Sequence, residues 1–215
     1  MQKVISIDGK QLDKIAEALK DFPQEIKPAI SSAINKTMRS TVTQIKKEVN
    51  SEYNIKQRDV GKAIKVTNSK VKTLTAIANA EGGQTAMYKF DHKPKKRPKS
   101  LGWGKNAYST PLTVQAKKGG EEKKVAHGKN LGFLAPVIPK GGNMIDMIFV
   151  REGKKRFPIK KLFLLSVPQM ISDKNDSKGS ITRIKAKANE MLEKKVTQEI
   201  NYRVLKIAKK AQGGK

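Results

Sequence analysis

The chain has 215 residues, 37% of them apolar, and its 46 basic against 19 acidic side chains give a net charge of +27. An ordinary globular domain is ~45–50% apolar, so a core is possible but modest, and self-repulsion at this charge calls for an anionic partner: nucleic acid, an anionic membrane face or acidic protein. The absence of cysteine excludes disulfides, thiolate metal sites and cysteine nucleophiles, and fits folding in a reducing cytoplasm.

In chain order, Met1 to Asp8 has neither an apolar signal core nor a small-residue cleavage site, so no export route is expected. Asp8 caps a short helix from about Gly9 to Asp21, with Leu12, Ile15, Ala16 and Leu19 in one stripe. Phe22-Pro23 ends it, because proline disfavours helix in the residue before it. Ile26, Ile30, Ile34, Met38, Val42, Ile45 and Val49 then recur every three or four residues and predict a long helix over 24–50, with Pro28 in its first turn. Lys56 to Ile64 predicts a short helix with Val60 and Ile64 inward.

The period changes after that. Val66 to Ala80, rich in Val, Thr and Ile, predicts one or two strands ending at the Glu81-Gly82-Gly83 turn. Lys93 to Lys99 holds five cations and two prolines in seven residues, which predicts a mobile basic loop at about 89–106. Thr110 to Lys117 alternates like a strand, and Leu131 to Ile138 reads as a buried strand interrupted by Pro136. Met144 to Arg151 and Lys155 to Ile159 flank Glu152-Gly153 as a hairpin. Phe133, Phe149, Phe157 and Phe163 are expected on the inner face of the sheet. A long C-terminal helix over 181–210 follows, marked by Ile184, Ala188, Leu192, Val196, Ile200 and Val204. The order predicts a single α+β domain over 1–215, its long N- and C-terminal helices packed on one mostly antiparallel sheet with extended basic loops. The longest nearly apolar runs, 131–138 and 162–165, fall far short of a membrane span.

The supply of catalytic groups is thin. His92 and His127 have no second ligand at metal spacing. Asp91, Glu121 and Glu122 could be forced into a Mg²⁺ set, but Glu121-Glu122-Lys123-Lys124 reads as a solvated turn. The glycine pairs lack the spacing of phosphate-binding loops. Neither an enzyme nor a cofactor, metal or small-molecule substrate is expected. The basic clusters remain: Lys93, Lys95, Lys96, Arg97 and Lys99 in the loop, Arg151, Lys154, Lys155, Arg156, Lys160 and Lys161 around the hairpin, and a third along the C-terminal helix. A solvated lysine-rich surface is the bland alternative; contact with phosphates, without base reading, is the functional one. Trp103, between two glycines, is either a loop anchor or a subunit contact.

Three stretches carry a resemblance: Ala33-Ile34-Asn35-Lys36-Thr37 running on to Tyr53-Asn54-Ile55-Lys56; Phe149 to Arg156 with Pro158 to Leu162; and Ser166-Val167-Pro168-Gln169-Met170. In order and spacing the chain resembles the prophage minor tail protein Z family of long-tailed phages, from about residue 25 to 205. The resemblance implies a virion protein of tail or neck, made in the host cytoplasm, that completes the tail and joins it to the head. It also implies a homo-oligomeric ring around the DNA channel, in contact with other tail and neck proteins and nonspecifically with DNA. Subunit contact is then expected at Trp103, Val167, Pro168 and Met170. The alternative is a free-standing, sequence-nonspecific nucleic-acid-binding protein of ribosomal or nucleoid-associated type.

Overall fold

The computed structural model describes residues 2–8, 17, 20, 23–96, 111–139, 141–172 and 180–212. The fold is α+β, as expected, and the chain divides into two compact units. Unit 1 comprises Met1–Glu48, Gly61–Gly82 and Ile171–Lys215; unit 2 comprises Val49–Val60 and Gly83–Met170.

Unit 1 is built on two long helices. Helix α1 (Pro23–Glu52) buries Ile30, Ala33, Ile34, Met38 and Ile45 at the three-to-four-residue spacing that the sequence shows. It begins at Pro23, so Pro28 falls in the second turn rather than the first. Helix α4 (Ser180–Gln212) buries Ile184, Ala188 and Val196. Glu48 pairs with Arg183 and Lys187 near the start of α4, at 3.6 and 3.4 Å, while Glu25 pairs with Arg203 near its end. The two helices therefore run antiparallel. The expected helix from Gly9 to Asp21 lies almost wholly outside the described residues.

The sheet of unit 1 has β3 (Thr75–Ala80) between β1 (Gln2–Asp8) and β2 (Ile64–Thr67), all antiparallel. Ile5 stands opposite Ala78, Ile7 opposite Ala76 and Ile64 opposite Ala80. All six are buried, so the period-2 alternation of β3 places small side chains along the middle of the inner face, between isoleucines. The loop after β2 is held to α1 by Asn35. Its amide donates to the Ser69 carbonyl at 3.0 Å and its oxygen accepts from the Ser69 N–H at 2.7 Å, while Ser31 Oγ donates to the same carbonyl at 3.1 Å.

Unit 2 holds the remaining strands, in several small antiparallel sheets rather than the one sheet expected. One pairs β4 (Gln84–Ala86) with β13 (Phe163–Ser166); another orders β5 (Asp91–Lys93), β6 (Thr113–Gln115) and β7 (Lys123–Lys124). A two-stranded ribbon joins β8 (Ala126–His127) to β9 (Asn130–Leu131), and β11 (Ile145–Arg151) lies between β10 (Phe133–Val137) and β12 (Ile159–Lys161). The strands are two to seven residues long, and glycine and proline punctuation keeps them from forming one continuous ladder. Pro136 does not interrupt its strand: β10 is a sheet edge, the place in a sheet where proline is tolerated. Two short helices, α2 (Gln57–Lys62) and α3 (Val167–Ile171), and a single 3-10 turn at Met87–Lys89 complete the described elements.

Candidate polyanion interface

The hairpin cluster begins at Arg151, the last residue of β11, paired in register with Ile159. The expected two-residue turn is in fact the seven-residue loop 152–158, because Pro158 has no N–H to continue the ladder. Its carbonyl still accepts from the Glu152 N–H at 3.2 Å. The base of the loop is fixed: the Arg151 guanidinium donates to the Arg156 carbonyl and lies 5.1 Å from the Phe133 ring centroid. The Asn130 amide donates to the carbonyls of Arg151 and Gly153 at 3.1 and 3.3 Å. Beyond that base, Lys154, Lys155 and Arg156 are exposed, as is Lys160 on β12. Lys154, Lys155 and Lys160 have no carboxylate partner among the described residues.

The aromatics differ from expectation. Phe133 and Phe149 are register partners with ring centroids 6.3 Å apart, but Phe157 is 64% and Phe163 43% exposed. Instead of filling a core, these two rings lie beside cations: Arg156 at 5.8 Å from Phe157 and Lys161 at 5.2 Å from Phe163.

In the second cluster, Asp91 to Lys93 is strand rather than loop. Lys93 Nζ lies 2.5 Å from Glu122, and Lys95 pairs with Asp91. The Lys93 hydrogen bond holds the Glu122 carboxyl below its ordinary range. Two of the three carboxylates weighed as metal ligands, Asp91 and Glu122, are thus engaged by lysines, while Glu121 is exposed. Lys96 is exposed, without an ion pair among the described residues; Arg97, Lys99 and Trp103 lie outside them. Along α4, Arg183, Lys187 and Arg203 bridge to α1 and Lys194 pairs with Glu190 at 2.6 Å, so part of that basic run has intramolecular partners.

Ser166 to Met170 has a local job. The Ser166 N–H and hydroxyl both donate to Gln169 Oε1, at 2.9 and 3.0 Å, and the Gln169 N–H donates back to Ser166 Oγ at 3.3 Å. This is a capping box that starts α3. Val167 and Met170 are buried and Pro168 is half-buried.

The family model of prophage minor tail protein Z matches residues 10–210. The chain belongs to that family. It is accordingly a phage tail structural protein, and a virion component that works with other tail components. Nothing matches among the curated proteins, and nothing among the solved structures. No helix of the described residues is long and apolar enough to cross a membrane. The first of the stretches that carry the resemblance proves to be scaffold in this minor tail protein Z chain. Ala33 and Ile34 are core, Asn35 clamps Ser69, Lys36 pairs with Glu199 at 2.6 Å, and Thr37 donates to the Ala33 carbonyl at 2.9 Å. Sequence reading overlooked Lys56, Arg58 and Lys118. They belong to no basic run, and only the fold brings them onto one cleft.

Proposed function

We propose that this tail protein completes the tail and joins it to the head, as a ring of identical subunits around the DNA path. It has no enzymatic role in this reading. The observation that carries the reading is the hairpin loop: a tied base and, beyond it, exposed lysines that no described carboxylate neutralises. DNA that must slide through a channel needs weak, sequence-indifferent contacts, and lysine supplies a flexible point charge rather than a planar fork. Lys96, Arg97 and Lys99 add to the same role, whereas Lys93 and Lys95 serve it less, being paired with Glu122 and Asp91. For subunit contact, Val167 and Met170 support α3 from within their own chain. Pro168 and Trp103 stay in the proposal as subunit contacts, and Ile138, Met144 and Phe157 are among the exposed apolar groups that a neighbour would cover.

A salt titration of duplex DNA binding tests the charge. Replacing Lys154, Lys155 and Arg156 together with Gln should flatten the slope of log affinity against log salt by up to roughly three units, at ~0.9 per phosphate contact. Sedimentation and electron microscopy of the purified chain test the ring. An unchanged slope would remove this loop from the DNA path, and a strictly monomeric protein at virion-like concentrations would remove the ring.

A further inference from the structure

Unit 2 contains a cleft of about 520 Å³. One wall is the stretch from the end of α1 into α2, and another is the stretch 88–92. The first wall is held in place by hydrogen bonds. The Asn54 N–H donates to the Ala116 carbonyl at 2.9 Å and the Lys118 N–H donates to the Glu52 carbonyl at 2.8 Å. The Asn50 amide donates to the Ile55 carbonyl at 2.7 Å, which fixes the turn leading into Lys56.

Five cations and two carboxylates line this cleft. Asp59 is taken by Lys89 at 3.4 Å and Asp91 by Lys95. That leaves Lys56, Arg58 and Lys118, none of which has a carboxylate partner among the described residues. Three uncompensated cations on one concave surface repel each other, and the concavity focuses their field. A single carboxylate would leave two of them unbalanced, whereas a phosphate group carries up to two charges and offers three oxygens. Arg58 can grip two of these with its fork, while the lysines act as point charges.

We propose that this cleft is a phosphate-binding site, with Lys56, Arg58 and Lys118 as its ligands. It is a separate site from the hairpin loop and stands whether or not that loop faces DNA. The phosphate could come from a nucleic-acid backbone or from a free phosphate ester.

The experiment is calorimetric titration of the full chain with inorganic tripolyphosphate, with a short DNA duplex and with hexaglutamate. Two variants of equal charge change are compared: Lys56→Gln/Arg58→Gln/Lys118→Gln, and the hairpin triple Lys154→Gln/Lys155→Gln/Arg156→Gln. All six residues are exposed, so neither variant should melt below the wild type. The cleft variant should lose tripolyphosphate affinity by at least about tenfold, and the hairpin variant should stay within about twofold. Equal losses in both, or none in the cleft variant, would overturn the site in favour of diffuse charge. Hexaglutamate binding as tightly as tripolyphosphate would overturn the choice of phosphate. If duplex displaces tripolyphosphate from wild type, the backbone is the source; if it does not, the source is a free phosphate.

Discussion

Gly132 shows how one residue sets a local backbone. A Cβ added there would sit 2.5 Å from Val125 Cγ1 and 2.9 Å from its Cβ. Val125 is itself buried, and because its Cβ and carbonyl oxygen are among the close atoms, a change of its rotamer would not clear the space. The Gly132 N–H donates to the Val125 carbonyl at 2.7 Å, so the two backbones must stay close to join the ribbon of β8 and β9. Gly132→Ala should therefore destabilise the protein by about 1–3 kcal/mol through overpacking. Chemical denaturation of the purified variant measures this, and a midpoint equal to wild type would refute it. In the sequence Gly132 is only one glycine in a glycine-bearing stretch, because its contact depends on Val125 folding back across it.

At the scale of elements, the pairing of α1 with α4 turns on Glu199, which is 2% exposed. Burial by itself would raise its carboxyl pKa. Hydrogen bonds from Lys36 Nζ at 2.6 Å and Ser32 Oγ at 3.0 Å, with the charges of Lys36 and Arg203, outweigh burial and hold the group below its ordinary value. A folded pKa below the unfolded one stabilises the protein above the ordinary carboxylate range, and that stability is lost as pH falls through the depressed value. Glu199→Gln should then cost about 1–2 kcal/mol at neutral pH. The gap to wild type should close in acid, where the native residue is itself protonated. Urea midpoints followed from neutral pH down into acid check both parts, and a gap that widens in acid would sink the account. Both helices were legible from periodicity, because long apolar stripes are a local signal. Their partnership through Lys36 and Glu199 was not, since charges 163 residues apart leave no local pattern. For the same reason the basic runs were visible, but not which lysines already had partners. Some strand positions were also legible, β3, β6, β10 and β11 among them, whereas β1 and β5 were not. The division of the strands among small sheets was not legible, because pairing depends on turns and on prolines such as Pro158.

At the scale of the molecule, the expectation of a single domain becomes a proposal about cooperativity. Each unit is assembled from separated stretches of chain, and the chain passes between the units at Glu48/Val49, Val60/Gly61, Gly82/Gly83 and Met170/Ile171. Helix α1 spans the first of these passages and α2 the second, without a break in hydrogen bonding. The core of unit 2 needs Tyr53, Ile55 and Val60, all buried, and these lie in the short insert carried out of unit 1. Melting unit 1 would fray α1 and release that insert, so unit 2 would lose three core side chains, each contributing about 1.5–3 kcal/mol by burial. Each unit draws part of its core from more than one stretch of chain. We therefore propose that the two unfold together. Differential scanning calorimetry should give one transition whose calorimetric and van't Hoff enthalpies agree. A fragment covering residues 83–170 should lack a cooperative melt. Added salt should raise the melting temperature of the whole chain, because screening weakens the self-repulsion of its +27 charge. Two resolved transitions, or a fragment 83–170 that melts cooperatively, would show that the units are independent domains joined by shared helices.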